Sequence, residues 1–274
     1  MTVTLVNGVR TNALDAADRG LMYGDGLFET LRISQGKACH WGLHMARLSA
    51  GCARLGISGL DQSVLEAEVL DLVSPVENGV LKIVVTRGIG DRGYRPPAAS
   101  TPTRILQVHS APNYPAAFAA DGITARLCST RLGRNPLLAG MKHLNRLEQV
   151  LARAEWRDPA VAEGLMLDTF GLVVGGTMSN LFFVLDGALC TPDLAECGVA
   201  GVTRQRILEY ARRQNIPLHV ARYTLEDFQA SAEAFFCNSL IGVWPIRRLD
   251  NQTWPIGDMT RRIATALDSE ETAG

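Results

Sequence analysis

The chain has 274 residues, of which 47% are hydrophobic and 20% charged, and its formal net charge is −1. That length can bury a sizeable core and suits two domains, and the composition is that of a globular protein rather than a disordered or fibrous one. So small a net charge leaves no footprint for nucleic acid or an anionic membrane surface, and no apolar run is long enough to span a bilayer.

The N-terminus lacks a basic-then-apolar signal, and the six cysteines (Cys39, Cys52, Cys128, Cys190, Cys197 and Cys237) include no CxxC pair. Reduced thiols in a cytoplasmic protein are therefore expected, with no disulfide framework and no metal site.

In chain order, Asn7-Gly8 between short apolar runs predicts a tight hairpin over 3–9. The segment 18–30, with Gly20, Gly24 and Gly26 among charged and aromatic residues, reads as a tight loop whose backbone bends sharply or approaches something closely. Leu48, Cys52 and Leu55 are spaced for a helix over 40–55, which sets His44 and Arg47 on one face. A second helix is expected around 64–73, and strands at 80–86 and 104–108. The proline- and alanine-rich stretch 111–121 reads as an inter-domain linker.

Beyond it, a strand is expected at 123–128 and a helix at 143–156. A meander follows at 164–167, 172–174, 181–185 and 188–191. Gly201-Val202-Thr203 opens a helix running to about 213. An apolar stretch over 234–246, a short helix and a polar tail at 269–274, expected to be disordered, complete the chain. The expected organisation is a smaller N-terminal α/β domain over 1–110, a linker over 111–121 and a larger domain over 122–274. The irregular order of strands and helices argues for a mixed α+β arrangement and against a doubly wound dinucleotide fold.

Lysine usage is the first chemical signal. Only Lys37, Lys82 and Lys142 are lysines among 27 Lys and Arg residues, which leaves 24 arginines. Arginine stays protonated, whereas a partly buried lysine can shed its proton and attack a carbonyl, so Lys142 is a candidate Schiff-base residue. Glycines leading into the helix at Val202-Thr203 suit a phosphate, because free backbone N–H groups point outward there. The polar pair Asn238-Ser239 could serve the same group. Each signal singly also fits an ordinary role: a surface lysine at a helix start, a simple N-cap, a polar pair in the core.

The order of the motifs is more specific than any one of them. Gly24-Asp25-Gly26-Leu27-Phe28-Glu29, His44 to Leu48, Lys142 to Arg153, Ser179 to Phe182 and Gly201 to Arg204 follow one another here. This arrangement resembles the fold-type-IV pyridoxal-phosphate enzymes, the group that includes branched-chain and D-amino-acid aminotransferases, from Asn7-Gly8 to Pro245. The Lys142 segment, preceded by 131–136, and the stretch Arg87 to Tyr94 resemble the 4-amino-4-deoxychorismate lyases rather than either aminotransferase.

The resemblance implies pyridoxal 5'-phosphate in a cleft between two α/β domains, a cytoplasmic homodimer, and a small-molecule substrate. The reaction implied is loss of pyruvate from 4-amino-4-deoxychorismate to give 4-aminobenzoate for folate biosynthesis. The alternatives are a D-amino-acid or branched-chain aminotransferase, or a weakly active cofactor-binding paralogue.

Residue by residue, the resemblance implies Lys142 as Schiff-base lysine and proton carrier. It implies Arg47 on the cofactor phosphate, with Val202, Thr203, Asn238 and Ser239. Arg92 and Tyr94 would lie near the substrate, with Thr30 as a catalytic residue and Tyr23 as a lining one. One departure stands out. Where such enzymes carry a glutamate for the pyridine nitrogen, Gly175 stands here, and Thr177 is the nearby hydrogen-bonding substitute. A weaker electron sink would hurt transamination most and so tilts the reading toward the lyase.

Overall fold

The computed structural model describes residues 3–273. The chain forms two compact units, Met1–Asn113 with Met141–Asn145, and Tyr114–Gly140 with Arg146–Gly274. Both mix helices and strands.

In the first unit, β1 (Val3–Val6) and β2 (Val9–Arg10) form the hairpin expected at Asn7-Gly8, where both turn residues take positive φ. The loop expected over 18–30 is instead a short helix and a long strand. Asp18 caps α1 (Arg19–Tyr23), and β3 (Gly26–Ser34) follows directly. Then come β4 (Lys37–Ala38), α2 (Trp41–Leu55), α3 (Gln62–Val73), β5 (Asn78–Thr86) and β6 (Thr103–His109). The six strands make one antiparallel sheet in the order β2-β1-β6-β5-β3-β4.

Leu27, Glu29, Leu31 and Ile33 alternate onto its buried face, and Phe28 and Thr30 onto the other, as strand geometry requires. Helix α2 covers the buried face so closely that a Cβ on its Gly51 would meet Leu27 Cδ1 at 2.8 Å.

In the second unit, α4 (Ala117–Ala120) and β7 (Ile123–Leu127) come first. The expected linker is therefore divided. Tyr114 and Phe118 already set their rings edge-on to Trp244, with centroids 4.8 and 5.1 Å away. The expected helix over 143–156 contracts to α5 (Leu147–Arg153), because 142–144 lie extended along β3. The meander is β8 (Val161–Leu167), β9 (Val173–Gly176), β10 (Asn180–Leu185) and β11 (Ala188–Pro192).

Helix α6 (Val202–Arg213), β12 (Leu218–Ala221) and α7 (Leu225–Gln229) follow. The apolar stretch at 234–246 resolves into β13 (Glu233–Asn238) and β14 (Gly242–Leu249), with β15 (Gln252–Thr253) pairing the latter. The last helix, α8 (Asp258–Ala273), carries through most of the tail expected to be disordered, and Gly274 lies outside the described residues.

The sheet runs β12-β11-β10-β13-β14-β7-β8-β9, and β9 also pairs with β10, so the strands from β10 to β9 close on themselves. Strand β10 is buried on both sides. Leu181 and Phe183 join an inner cluster with Phe228, Phe236 and Trp254, while Phe182 joins an outer one under α6 and α8. Burial on two faces explains why Leu181-Phe182-Phe183-Val184 shows no polar alternation.

Candidate functional site

The first unit positions Lys142 through the glycines of the Gly24-Asp25-Gly26 turn. The Phe28 N–H donates to the Lys142 carbonyl (2.9 Å) and the Leu144 N–H to that of Gly26 (3.0 Å), so 142–144 complete the open edge of β3. A Cβ on Gly26 would meet Leu144 Cδ1 at 2.9 Å, and one on Gly24, which also holds φ +66°, would meet Asn145 Oδ1 at 2.5 Å. These glycines are where residues more than a hundred positions later come in. Cross-strand from Phe28, Lys142 sets its Nζ 4.2 Å from the centre of the Phe28 ring. Lys82, which pairs with Thr30, places its own Nζ 5.8 Å from the same ring. Thr30 shares the face that carries Phe28.

Arg47 faces the opposite side of β3. Its Nε donates to Glu29 Oε1 (2.8 Å) and its Nη2 to Oε2, while His44 Nδ1 lies 2.7 Å from Oε2. Glu29 and His44 are each 1% exposed. Burial alone would raise the Glu29 pKa, but hydrogen bonds and charge from Arg47 and His44 outweigh it and hold the carboxyl below its ordinary range. Burial pushes the His44 pKa down, Arg47 and His40 add to that, and Glu29 opposes it.

The loop at 92–94 hangs from Arg19. This buried guanidinium donates through Nε to Asp25 (2.9 Å) and through its two Nη atoms to the carbonyls of Gly93 (3.0 Å) and Tyr94 (3.1 Å). Asp25 also receives Arg87 Nε (2.7 Å), and the two arginines keep it ionised below its ordinary pKa although burial acts the other way. The Gly93 N–H donates to Tyr23 Oη (2.9 Å), and the Tyr23 and Tyr94 rings meet at 5.5 Å. Tyr94 is 86% exposed and Arg92 is exposed. Tyr23 and Tyr94 are thus brought together by the backbone of one loop.

In the second unit, two asparagines gather the remaining candidates at one end of the sheet. Asn180 Nδ2 donates to the Val199 carbonyl (2.9 Å), and Asn238 Nδ2 to that of Met178 (3.1 Å). Asn238 Oδ1 accepts the N–H groups of Leu240 and Ile241, so its carboxamide shapes the turn that presents Ser239. Gly201 caps α6 without a side-chain hydrogen bond, and a Cβ there would meet Asn180 Oδ1 at 2.0 Å. The first N–H groups of α6, at Val202 and Thr203, therefore have no capping side chain, which is the arrangement that suits an anion. Thr177, on the turn before Asn180, donates its hydroxyl to Glu163 Oε1 (2.5 Å).

The chain matches the family described as Amino-transferase class IV over residues 26–249. It belongs to that family. It is 37% identical over 268 residues to the aminodeoxychorismate lyase of Vibrio harveyi, covering 96% of this chain and 99% of the relative. It is 26% identical to the D-alanine aminotransferase of Bacillus licheniformis, covering 94% and 91%. The crystal structure of 4-amino-4-deoxychorismate lyase from Pseudomonas aeruginosa superposes with a TM-score of 0.95 at 48% identity, covering 97% and 98%.

For this member of the class IV family, sequence reasoning missed the carboxylates that hold the candidate residues. Glu29 stood within a stretch read as loop, and the Asp25 pairing with Arg19 and Arg87 spans the unit. Glu163 was missed too. Its carboxylate, 1% exposed, accepts five hydrogen bonds, from the N–H groups of Gly164, Thr177 and Met178 and the hydroxyls of Thr177 and Ser179. It lies where a side chain on Gly176 would go, since a Cβ there would meet Glu163 Oε2 at 2.7 Å. Gly175 itself is buried, with the Ser179 carbonyl 2.9 Å from where its Cβ would stand. The one signal available was the Thr-Met-Ser run of donors after two glycines.

Proposed function

We propose that this protein is a pyridoxal-phosphate-dependent lyase that releases pyruvate from 4-amino-4-deoxychorismate and leaves 4-aminobenzoate. The observation that carries it is the half-buried Lys142, drawn onto the edge of β3 with its amine against Phe28 in a chain that otherwise uses arginine. Two lyases that match along nearly the whole chain support the same reading.

The residues present fit the cofactor. The cradle at Gly201, which a Cβ would fill, and the uncapped N-terminus of α6 suit its phosphate, with Ser239 presented on a turn tied to the same sheet end. Arg47 would hold that phosphate as well, and Lys142 its carbonyl carbon. Bound there, pyridoxal phosphate supplies an electron sink that lets a proton leave the carbon bearing the substrate amine. Lys142 Nζ would carry that proton, which requires its neutral form. Arg92 and Tyr94, on the loop hung from Arg19, would meet the substrate carboxylates, with Tyr23 lining and Thr30 assisting from the Phe28 face.

Loss of pyruvate leaves an aromatic ring, so the reaction asks less of the electron sink than amino transfer does. A glycine at 175 is compatible with that. Thr177 Oγ1, whose proton is directed to Glu163, keeps lone pairs with which to accept from the pyridine nitrogen. The aminotransferase relatives keep amino transfer as the second reading.

Purified protein is incubated with 4-amino-4-deoxychorismate, and 4-aminobenzoate and pyruvate are measured together. Equal yields without an added amino acceptor are expected; neither product would sink the lyase, and dependence on an acceptor would favour amino transfer. Lys142→Ala should lose both product formation and the visible cofactor band. We also propose a cytoplasmic homodimer. The six cysteines without a disulfide suit that compartment, and the exposed stripe Leu147, Val150 and Leu151 on α5 suits a subunit contact. Sedimentation at micromolar concentration tests the dimer.

A further inference from the structure

Glu163 is a buried carboxylate, 1% exposed, that forms no ion pair among the described residues. A charge in such a place is costly, and its five donors replace lost water without cancelling the charge. Strand register explains its position. Leu165 pairs with Gly176, so Glu163, two residues earlier on β8, reaches the turn that follows β9. Only a glycine at 176 admits it, because a Cβ there would meet Ser179 Oγ at 2.1 Å and Glu163 Oε2 at 2.7 Å. The carboxylate therefore arrives from the next strand, beside Gly175, where the resemblance sets a glutamate.

An ionised carboxylate only accepts, so the Thr177 hydroxyl turns its proton to Oε1, at 2.5 Å, and its lone pairs away. The Met178 N–H (3.3 Å) and Ser179 Oγ (2.7 Å) hold Oε2, which keeps the carboxylate from turning off Thr177. Its charge is felt beyond the turn: burial raises the Tyr114 pKa, and Glu163 adds to that. We propose that Glu163 is a positioning residue that supplies, through Thr177, the negative charge missing at Gly175. It aims the Thr177 lone pairs at the ring N–H of bound pyridoxal phosphate, and its charge favours the protonated ring. One hydroxyl between them leaves carboxylate and ring nitrogen about 5 Å apart, close enough to act across a dry interior. This rests on the reading of Thr177 as the partner of the pyridine nitrogen given above.

The test compares pyridoxal 5'-phosphate with its 1-deaza analogue, in which C–H replaces the ring nitrogen, by tryptophan-fluorescence titration of the full chain. Wild type should hold the natural cofactor roughly tenfold more tightly than the analogue, as one hydrogen bond to a charged group permits. Comparing proteins cancels the difference in hydration of the two rings. Thr177→Val should abolish the preference, Thr177→Ser should keep it, and Glu163→Gln should cut it to about twofold or less. Glu163→Gln also loosens the turn, which weakens both ligands alike, so the ratio separates aim and charge from scaffolding.

An unchanged ratio in Glu163→Gln, however weak the binding, would overturn the proposal and leave the carboxylate as a brace for the turn. Binding of neither ligand to wild type would overturn the cofactor reading and the proposal with it. Should Glu163→Gln fail to fold, 15N NMR of ring-labelled pyridoxal 5'-phosphate on wild type and Thr177→Val reads the ring directly. A protonated ring in wild type that loses its proton in Thr177→Val is expected. An unprotonated ring in wild type, or the same state in both proteins, refutes the proposal.

Discussion

Replacing Gly26 by alanine tests whether the Gly24-Asp25-Gly26 turn exists to admit the Lys142 segment. The backbone at Gly26 is one that alanine can adopt, so the effect isolates space. The added Cβ would stand 2.5 Å from the Val85 carbonyl oxygen on one side and 2.9 Å from Leu144 Cδ1 on the other. Ordinary contact begins at 3.4 Å, so β3 must retreat by about 0.9 Å from Val85, toward the segment that crowds it on the other side. Overpacking of this kind costs about 1–3 kcal/mol.

Leu144, met on that side, must give way in turn, which strains the two hydrogen bonds that tie 142–144 to β3, at 2.9 and 3.0 Å. Each contributes about 1 kcal/mol, so with both lost the local loss should be roughly 3–5 kcal/mol. Hydrogen exchange at the Phe28 and Leu144 amides reads this directly, whether or not the two units unfold together. Gly42→Ala is the control, because nothing lies within 4 Å of a Cβ there. On α2 it should stabilise by a few tenths to about 1 kcal/mol. Protection at Phe28 unchanged in Gly26→Ala would refute the packing argument.

Three further outcomes follow from the buried polar groups. Glu163→Gln turns an amide donor toward donors that the carboxylate accepts, so the turn at 176–179 should lose about 2–3 kcal/mol, seen as a fall in melting temperature of about 5–10 °C; a shift below about 1 °C would contradict the five-donor assignment. Glu29 and His44 both titrate below their ordinary values of 4.5 and 6.5 in the folded chain. The unfolded chain therefore binds more protons, and the stability they contribute is present above about pH 6.5 and is lost as pH falls, first through His44 and then through Glu29. Urea midpoints at a series of pH values should show this, with a shallower decline in His44→Asn. Arg19→Lys cannot serve Asp25 and two carbonyls with the fork that arginine provides, so exchange at the Gly93 amide should rise and KM should increase more than kcat falls.

Much of the fold was legible where local chemistry decides it. Asn7-Gly8 supplies the two positive-φ residues of a hairpin turn, and the spacing of Leu48, Cys52 and Leu55 marks α2. Strand β3 was not legible, because Glu29 interrupts its apolar alternation and the partners that make it tolerable lie 15 and 18 residues later. The start of the expected helix at 143 failed for a related reason. Its residues have helical spacing, but their backbone groups are claimed by a strand edge that local sequence does not reveal. Among the candidate site residues, Lys142 was marked by scarcity of lysine only weakly, and by the order of the surrounding motifs more specifically. Glu163 could not be found, since its donors come from 14 to 16 residues further along a turn, apart from its neighbour Gly164.

Strand β3 also positions two of the proposed site's groups in the first unit. On one face it carries Phe28, against which the Lys142 amine rests, and on the other Glu29, which holds Arg47. Successive side chains point to opposite faces, so the Lys142 amine and the Arg47 guanidinium take their positions from neighbouring residues of one strand. A slip of one residue would turn Glu29 away from α2 and drive Phe28 into the core. The register is held by pairing with β5 over all nine residues, from Gly26 with Thr86 to Ser34 with Asn78. The proposed chemistry therefore depends on this pairing register as much as on Lys142.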